Sequence, residues 1–569
     1  MSSLSRGTKA WASVLGIWWS VAMLPLGGPG CHSEQAGPAC TSDNQCGAGL
    51  CMNGTCLPRG DQRTVAVEIL PRADSSSART GLPSVSLDPQ GTTLAADDRV
   101  TIDGTVTNAP NSHVVMMVAS PLPGQPDLQF ETDLTDSKFQ ITVGSSILRS
   151  MGTLWLTPSA EPQNLPPVQL VAMLSPSLSF TFPPVSQLIT IRGVLHDSLD
   201  QPAVPFFARA LVGSKVVSDT VTTDASGMFQ LLIAPGSIST GDPTSPASPT
   251  TPTPPAATVI LDFTPVAPDT APRFQTVPVP LTAAAGNAKT RTFRMPAFLE
   301  PAPLIFVVKS TEKSDVIQDV TLRFRTTFPA QVQPDADGQA IYEQEARTDQ
   351  LGQATVKLIP GTATDSRNYQ ITISPSPDSP YAARCVPSNT VTNIGNDGPA
   401  QYAATFYLEP KVLLRGTILS STDTPADTVA VTATPIPVDS GCGIDVSASP
   451  VSSTTLHTGY YEMLVDPGTY QLDIDPPLGS DVPRLTQDGD LAVQVPTVLP
   501  HDVKLPVGEV IDGQVNTMSN VSLGLASVKM FQIVCQAASC QGPSPAAPRL
   551  LAQTRTNMSG YFRTVLPSP

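Results

Sequence analysis

The sequence predicts an all-β protein: tandem β-modules following a small disulfide-rich segment. Three observations predict it. A motif punctuated by glycine and proline recurs four times at fixed internal spacing, and apolar residues alternate with period two beside each copy. Proline, at 60 of 569 residues, is too frequent for long helices. It lacks an amide donor and clashes with the preceding helical turn, whereas alternation puts every second side chain on one sheet face. Hydrophobic residues at 40% suffice for cores, and the length predicts roughly three to five domains. Only 14% of residues are charged, with a net charge of −16. A phosphate backbone would be repelled, so no nucleic-acid partner is expected.

Residues 1–30 read as an export signal. Arg6 and Lys9 precede the uncharged run Ala10 to Leu26, and Gly27, Gly28 and Gly30 lead into Cys31. The run is short of the roughly 20 residues a membrane-spanning helix needs. The stretch resembles the lipobox of bacterial lipoproteins, which are cut before a cysteine that then receives lipid. That resemblance implies lipidation at Cys31, a membrane partner through the lipid anchor, and export to the bacterial outer membrane or cell surface. Gly28 stands where the family prefers leucine, and Pro29 where a small residue is usual. An ordinary signal cut near Ala39 is the alternative. The chain has nine cysteines; setting Cys31 aside leaves eight, an even number that can all pair in an oxidising compartment.

Residues 31–62 form the cysteine-rich segment. Cys40, Cys46, Cys51 and Cys56 fall within CTSDNQCGAGLCMNGTC, too short a stretch to bury a core of its own. Crosslinks must hold it, and in the chain-entropy model each small loop closed by a disulfide contributes on the order of 3 kcal/mol. A zinc site is the alternative. The intervals of five, four and four, with no histidine interleaved, favour two disulfides. The pattern resembles the small Dickkopf-type cysteine-rich segments of myxobacterial surface proteins.

The repeat comprises TDASGMFQLLIAPG (223–236), TDQLGQATVKLIPG (348–361), TLHTGYYEMLVDPG (455–468) and TNMSGYFRTVLPSP (556–569). Each opens with threonine and carries a glycine four residues later: Gly227, Gly352, Gly459 and Gly560. Fixed spacing through dissimilar sequence marks a repeated structural unit. Asp224, Asp349 or Asn557 can bond the backbone two residues on and start a turn, and the glycine accepts a positive φ. Alternation follows, as in Phe229, Leu231 and Ile233, and Pro-Gly then ends the strand. The next strands, TVILDF, YQITIS and TYQLDI, predict β-hairpins. Upstream, VTIDGTV, ITIRGVL, VLLRGTI and EVIDGQV share a strand with an interior glycine, which predicts a bulge or a close backbone approach. PLIFVVK takes that place without the glycine.

Strand-Gly-strand followed by T-D-x-x-G-x-F and L-x-x-P-G resembles the carboxypeptidase regulatory-like module over residues 95 to 569. The resemblance implies tandem seven-stranded, transthyretin-like β-sandwich modules that carry no catalysis. The expected modules are 63–180 (degenerate), 185–300 with a Pro-rich insertion at 237–257, 301–408, 409–500 and 501–569. The last ends at Pro569 without its final strand, which predicts a truncated record. Cys535 and Cys540 are expected to bridge locally, and Cys385 and Cys442 are candidates to pair across neighbouring modules.

No chemistry stands out. The five histidines match no HExxH pattern, and no GxSxG elbow occurs. Asp335, Asp337 and Gly338, like Asp488, Gly489 and Asp490, are the residue types of calcium loops without the twelve-residue pattern. No catalytic residue, metal or cofactor is expected. The function expected is a non-catalytic structural stalk or binding scaffold, with polysaccharide or envelope proteins as partners. A carbohydrate- or peptidoglycan-binding protein and an accessory subunit of a secreted peptidase are the alternatives.

Overall fold

A computed structural model describes residues 40–568 apart from short segments, the longest being 239–257, 387–402 and 533–547. Among the described residues the regular structure is β-strand with four single-turn 3-10 helices. No helix among them is long and apolar enough to cross a membrane. The export signal, Cys31, Cys442, Cys535, Cys540 and nearly all of the Pro-rich insertion lie outside the described residues.

The plan of one module is plainest between residues 412 and 504. Its first strand, Val412–Leu419, pairs antiparallel with the fourth, Tyr460–Val465, and parallel with the last, in two pieces Leu499–Pro500 and Val503–Lys504. The second strand, Ala430–Pro435, lies in the opposite sheet between the third, Val451–Thr454, and the fifth, Gly468–Asp475. Two short pieces, Leu485–Thr486 and Leu491–Val493, complete the far edge as a sixth strand. Alternate residues of each sheet, including Leu414, Ile418, Val431, Met463 and Leu472, fill one core. The strands Arg99–Thr107 through Ser177–Thr181 repeat this order, with Ser177–Thr181 parallel to Arg99–Thr107.

The expected hairpins are not hairpins. Met228–Ile233 pairs with Ile189–His196, whereas Thr258–Pro265 pairs with Phe206–Val212 in the other sheet. Tyr460–Val465 and Gly468–Asp475 divide in the same way. The Pro-Gly stop therefore carries the chain across the sandwich. Proline has no amide to extend the ladder, and both strands turn an apolar face to the space between the sheets.

The interior glycine is not a bulge either, since its strand keeps register throughout in all four cases. It faces an aromatic residue on the fourth strand: Gly104 opposite Phe139, Gly193 opposite Phe229, Gly416 opposite Tyr461, Gly513 opposite Phe562. A side chain at Gly104 or Gly193 would run into that ring, whereas at Gly416 or Gly513 it would first meet a backbone carbonyl, that of His501 or Thr92, which is the close backbone approach the sequence predicts. The third module swaps the pair, with Phe306 on the first strand opposite Ala354 on the fourth. One ring fills the site in every case, and the opposing position stays small.

The second and third modules are fused rather than strung. Phe274–Thr276 pairs with Gln339–Arg347, joining sheets from both into one continuous sheet. A single core runs from Ile191 to Leu408, with Phe263, Phe274 and Phe328 in ring contact across the seam.

The largest departure concerns the two ends. The segment 63–96 does not belong with 97–180. Arg63–Leu70 pairs antiparallel with Ser527–Gln532 and with Thr80–Leu87, and Thr92–Ala96 lies parallel to Gly508–Thr517. Arg549–Arg555 and Tyr561–Pro567 complete the set. These are the seven strands of the plan, with the first four from the end of the chain and the last three from its beginning. The place of the final strand, expected after Pro569, is filled by Thr92–Ala96. Val65, Val67, Ile69, Leu87 and Leu94 enter one core with Ile511, Val515, Val528, Met530 and Phe562. At roughly 1.5–3 kcal/mol per buried aliphatic side chain, the five contribute on the order of 10 kcal/mol before ordering entropy is subtracted.

Neighbours touch all the way round. Leu122 packs with Ala66 and Phe531 of the composite sandwich. Ser237 donates to the Pro167 carbonyl across the next junction (2.9 Å). Lys411 Nζ donates to the Pro377 carbonyl (2.8 Å), and Leu485–Thr486 lies against Arg549–Arg555. Five sandwiches thus form a closed circuit.

Candidate functional site

Three local constructions carry the residues that the sequence singles out. The first is the repeat turn. Gly227, Gly352, Gly459 and Gly560 have φ of +75, +68, +72 and +76°. A Cβ on any of them would lie under 3.0 Å from a carbonyl of the first strand, that of Leu195, Val308, Ile418 or Val515. Asp224 Oδ1 accepts from the Ser226 and Met228 amides, Asp349 Oδ1 from Leu351 and Gln353, and Asn557 Oδ1 from Ser559 and Tyr561. The Ser226 hydroxyl and these amides hold Asp224 below the usual carboxylate range. The opening threonine has a role the spacing alone did not show. Thr223, Thr348, Thr455 and Thr556 are all buried. Each hydroxyl accepts the amide of Phe206, Val320, Val429 or Ala526 at 2.8 to 2.9 Å, where the second strand begins. The motif is a structural clamp between the two sheets.

The second is the disulfide-rich segment. Cys40 bonds to Cys51 and Cys46 to Cys56, an interlaced pair. Three of these sulfurs, those of Cys40, Cys46 and Cys51, come close enough to hold a metal ion, but all are spent on disulfides. The segment docks on the composite sandwich. Arg563 donates to both carboxylate oxygens of Asp43 (3.0 and 2.8 Å) and to the Cys51 carbonyl (2.9 Å). Leu57 packs beside Val510 and Val565. The hydrogen bonds to Asp43 raise the Arg563 pKa further above its ordinary value. Cys385 is disulfide-bonded; Cys442, the partner considered for it, is not among the described residues.

The third is a cleft of about 600 Å³ between the first and second sandwiches. Val115, Met117, Trp155 and Leu165 line it from one side, Lys215 and Asp219 from the other. Lys215 Nζ stands 4.8 Å from the centre of the Trp155 ring and 3.5 Å from Met117 Sδ. Asp219 is 6% exposed, and its Oδ1 accepts the Leu232 amide at 2.7 Å. Burial pushes its carboxyl up to about 6, against the lowering effect of the amides that bond it. No aspect of the sequence marked these residues. Lys215 and Asp219 come from the second module and Trp155 from the first, and only the packing of neighbours brings them together.

The histidines do not converge on one place. His113 faces Asp133 and Glu131, His457 faces Asp427, and His501 Nε2 bonds Gln487 Oε1 at 2.7 Å. Burial lowers the His501 pKa. Tyr461 is buried, donating its hydroxyl to the His501 carbonyl, whereas Tyr460 is half-buried and donates to Glu462.

No family model matches the chain, and no curated protein matches it. Among solved structures, the TIE protein of Bacillus anthracis overlaps 78% of this chain and 75% of its own, at 10% identity and a TM-score of 0.17. A streptococcal ancillary pilin overlaps 55% of this chain and 99% of its own (9% identity, TM-score 0.16). GBS52, the minor pilin of Streptococcus agalactiae, overlaps 36% and 94% (13% identity, TM-score 0.22). Overlaps at such TM-scores assign no function to this chain.

Proposed function

We propose that the protein is a non-catalytic scaffold on the bacterial exterior, held to the membrane by lipid at Cys31 and presenting its sandwich faces and clefts to envelope proteins or polysaccharide. The observation that carries this reading is the composite sandwich. Residues 63–96, which follow the cysteine-rich segment in the sequence, are built into the last module and share one core with residues 508–567. Two disulfides beside the anchor support an oxidising compartment, where such bonds persist.

The test is metabolic labelling with a fatty-acid probe in a bacterial host, followed by fractionation and protease shaving of intact cells. Labelled, membrane-bound, protease-accessible protein is expected, with labelling lost in Cys31→Ala. Recovery of unlabelled protein in the cytoplasm with reduced cysteines would overturn the proposal.

A further inference from the structure

We propose that the cleft between the first and second sandwiches is a binding site for an organic ammonium ion, a protonated primary amine carried on an apolar or aromatic body. Two independent features of the cleft point to that ligand class. The first is how the fold treats buried carboxylates. Asp262 (1% exposed) meets Arg209 and Arg273, and Glu68 (3% exposed) meets Arg79 and Lys529. Each has two cations. Asp219, at 6% exposed, is held by backbone amides and meets no lysine or arginine among the described residues. Asp97 also lacks a cation, but it does not line this cleft. A buried carboxylate is costly unless paired, and a cation arriving through the cleft would supply the pairing.

The second feature is the floor. The Lys215 ammonium already rests over the Trp155 ring with the Met117 sulfur beside it, so this surface accommodates an alkylammonium group. Lys215 is directed to the ring, and among the described residues the carboxylate of Asp219 is held by backbone amides rather than by this lysine. An incoming amine would take the carboxylate, and its apolar body would lie along Val115 and Leu165. An anion would be repelled by Asp219, and a neutral sugar would bring the carboxylate no counter-charge. The chain's net charge of −16 also favours the approach of a cation.

The probe is phenethylamine, with 2-phenylethanol as its uncharged counterpart, titrated into the full chain by calorimetry or ligand-observed NMR. The amine is expected to bind at least about tenfold more tightly than the alcohol. Asp219→Asn should abolish that preference, and Trp155→Leu should weaken both probes. The comparison of amine with alcohol on the unaltered protein needs no variant, so a misfolded variant does not leave the question open. Equal affinity for the two, no amine binding at millimolar concentration, or an amine preference that survives in folded Asp219→Asn would overturn the proposal. Displacement of the amine by a neutral oligosaccharide would overturn it in favour of sugar recognition.

Discussion

The sandwich at 412–504 and the composite one at 63–96 plus 508–567 have the same strand order and the same antiparallel and parallel neighbours. In one the chain runs continuously through all seven strands; in the other it enters at the fifth strand and returns, some 400 residues later, to supply the first four. Ile474 sits opposite Val431 in the continuous module, and Ile69 opposite Val528 in the composite one, with both isoleucines fully buried. The core is therefore specified by which side chains meet, not by how the chain connects them. What connectivity changes is the consequence of failure. A loosened continuous module releases one run of chain, whereas a loosened composite module releases two, 63–96 and 508–567.

Removing residues 63–96 should break this equivalence most severely. The strands 508–567 would lose three neighbours and more than a third of the core, and hydrogen exchange should show them unprotected while 412–504 stays protected. Adding a synthetic 63–96 segment should restore protection. Protected strands after deletion would mean that the two modules are not built alike. A smaller effect is expected from Ile69→Ala and Ile474→Ala, each at a cost of about 2–5 kcal/mol. In urea titrations followed by exchange, Ile69→Ala should release 40–96 together with 508–567, and Ile474→Ala should loosen its own module alone. Release of the same segments by both variants would contradict a local role for each core. The smallest effect belongs to Arg563→Met, which removes the fork on Asp43. That ion pair is partly exposed, so about 1 kcal/mol is expected. Cleavage near residues 58–62 should accelerate while the composite core persists, a result readable by limited proteolysis.

The reading of the repeat shows where sequence reasoning holds and where it stops. Fixed spacing of Thr, Gly and Pro-Gly was legible because a positive φ and a missing amide are local demands that one residue type satisfies. The same locality explains the error over hairpins. Phe229, Leu231 and Ile233 alternate identically whether the following strand pairs beside them or crosses to the other sheet. The partner of the interior glycine was readable in principle, since Phe306 with Ala354 inverts Gly193 with Phe229. It needed two distant motifs compared together. The cleft at Asp219 left no trace in the sequence at all.

By itself, the sequence determined the strands, their alternation, the turn chemistry and the need for disulfides near residue 40, because each depends on residues close together along the chain. Only the tertiary structure decided that the second and third modules share a core, that the two ends complete one sandwich, and that an unpaired carboxylate lines a cleft beside Trp155. Those outcomes depend on which surfaces meet, and pairing between distant strands is chosen by the total area they bury rather than by any short stretch of residues.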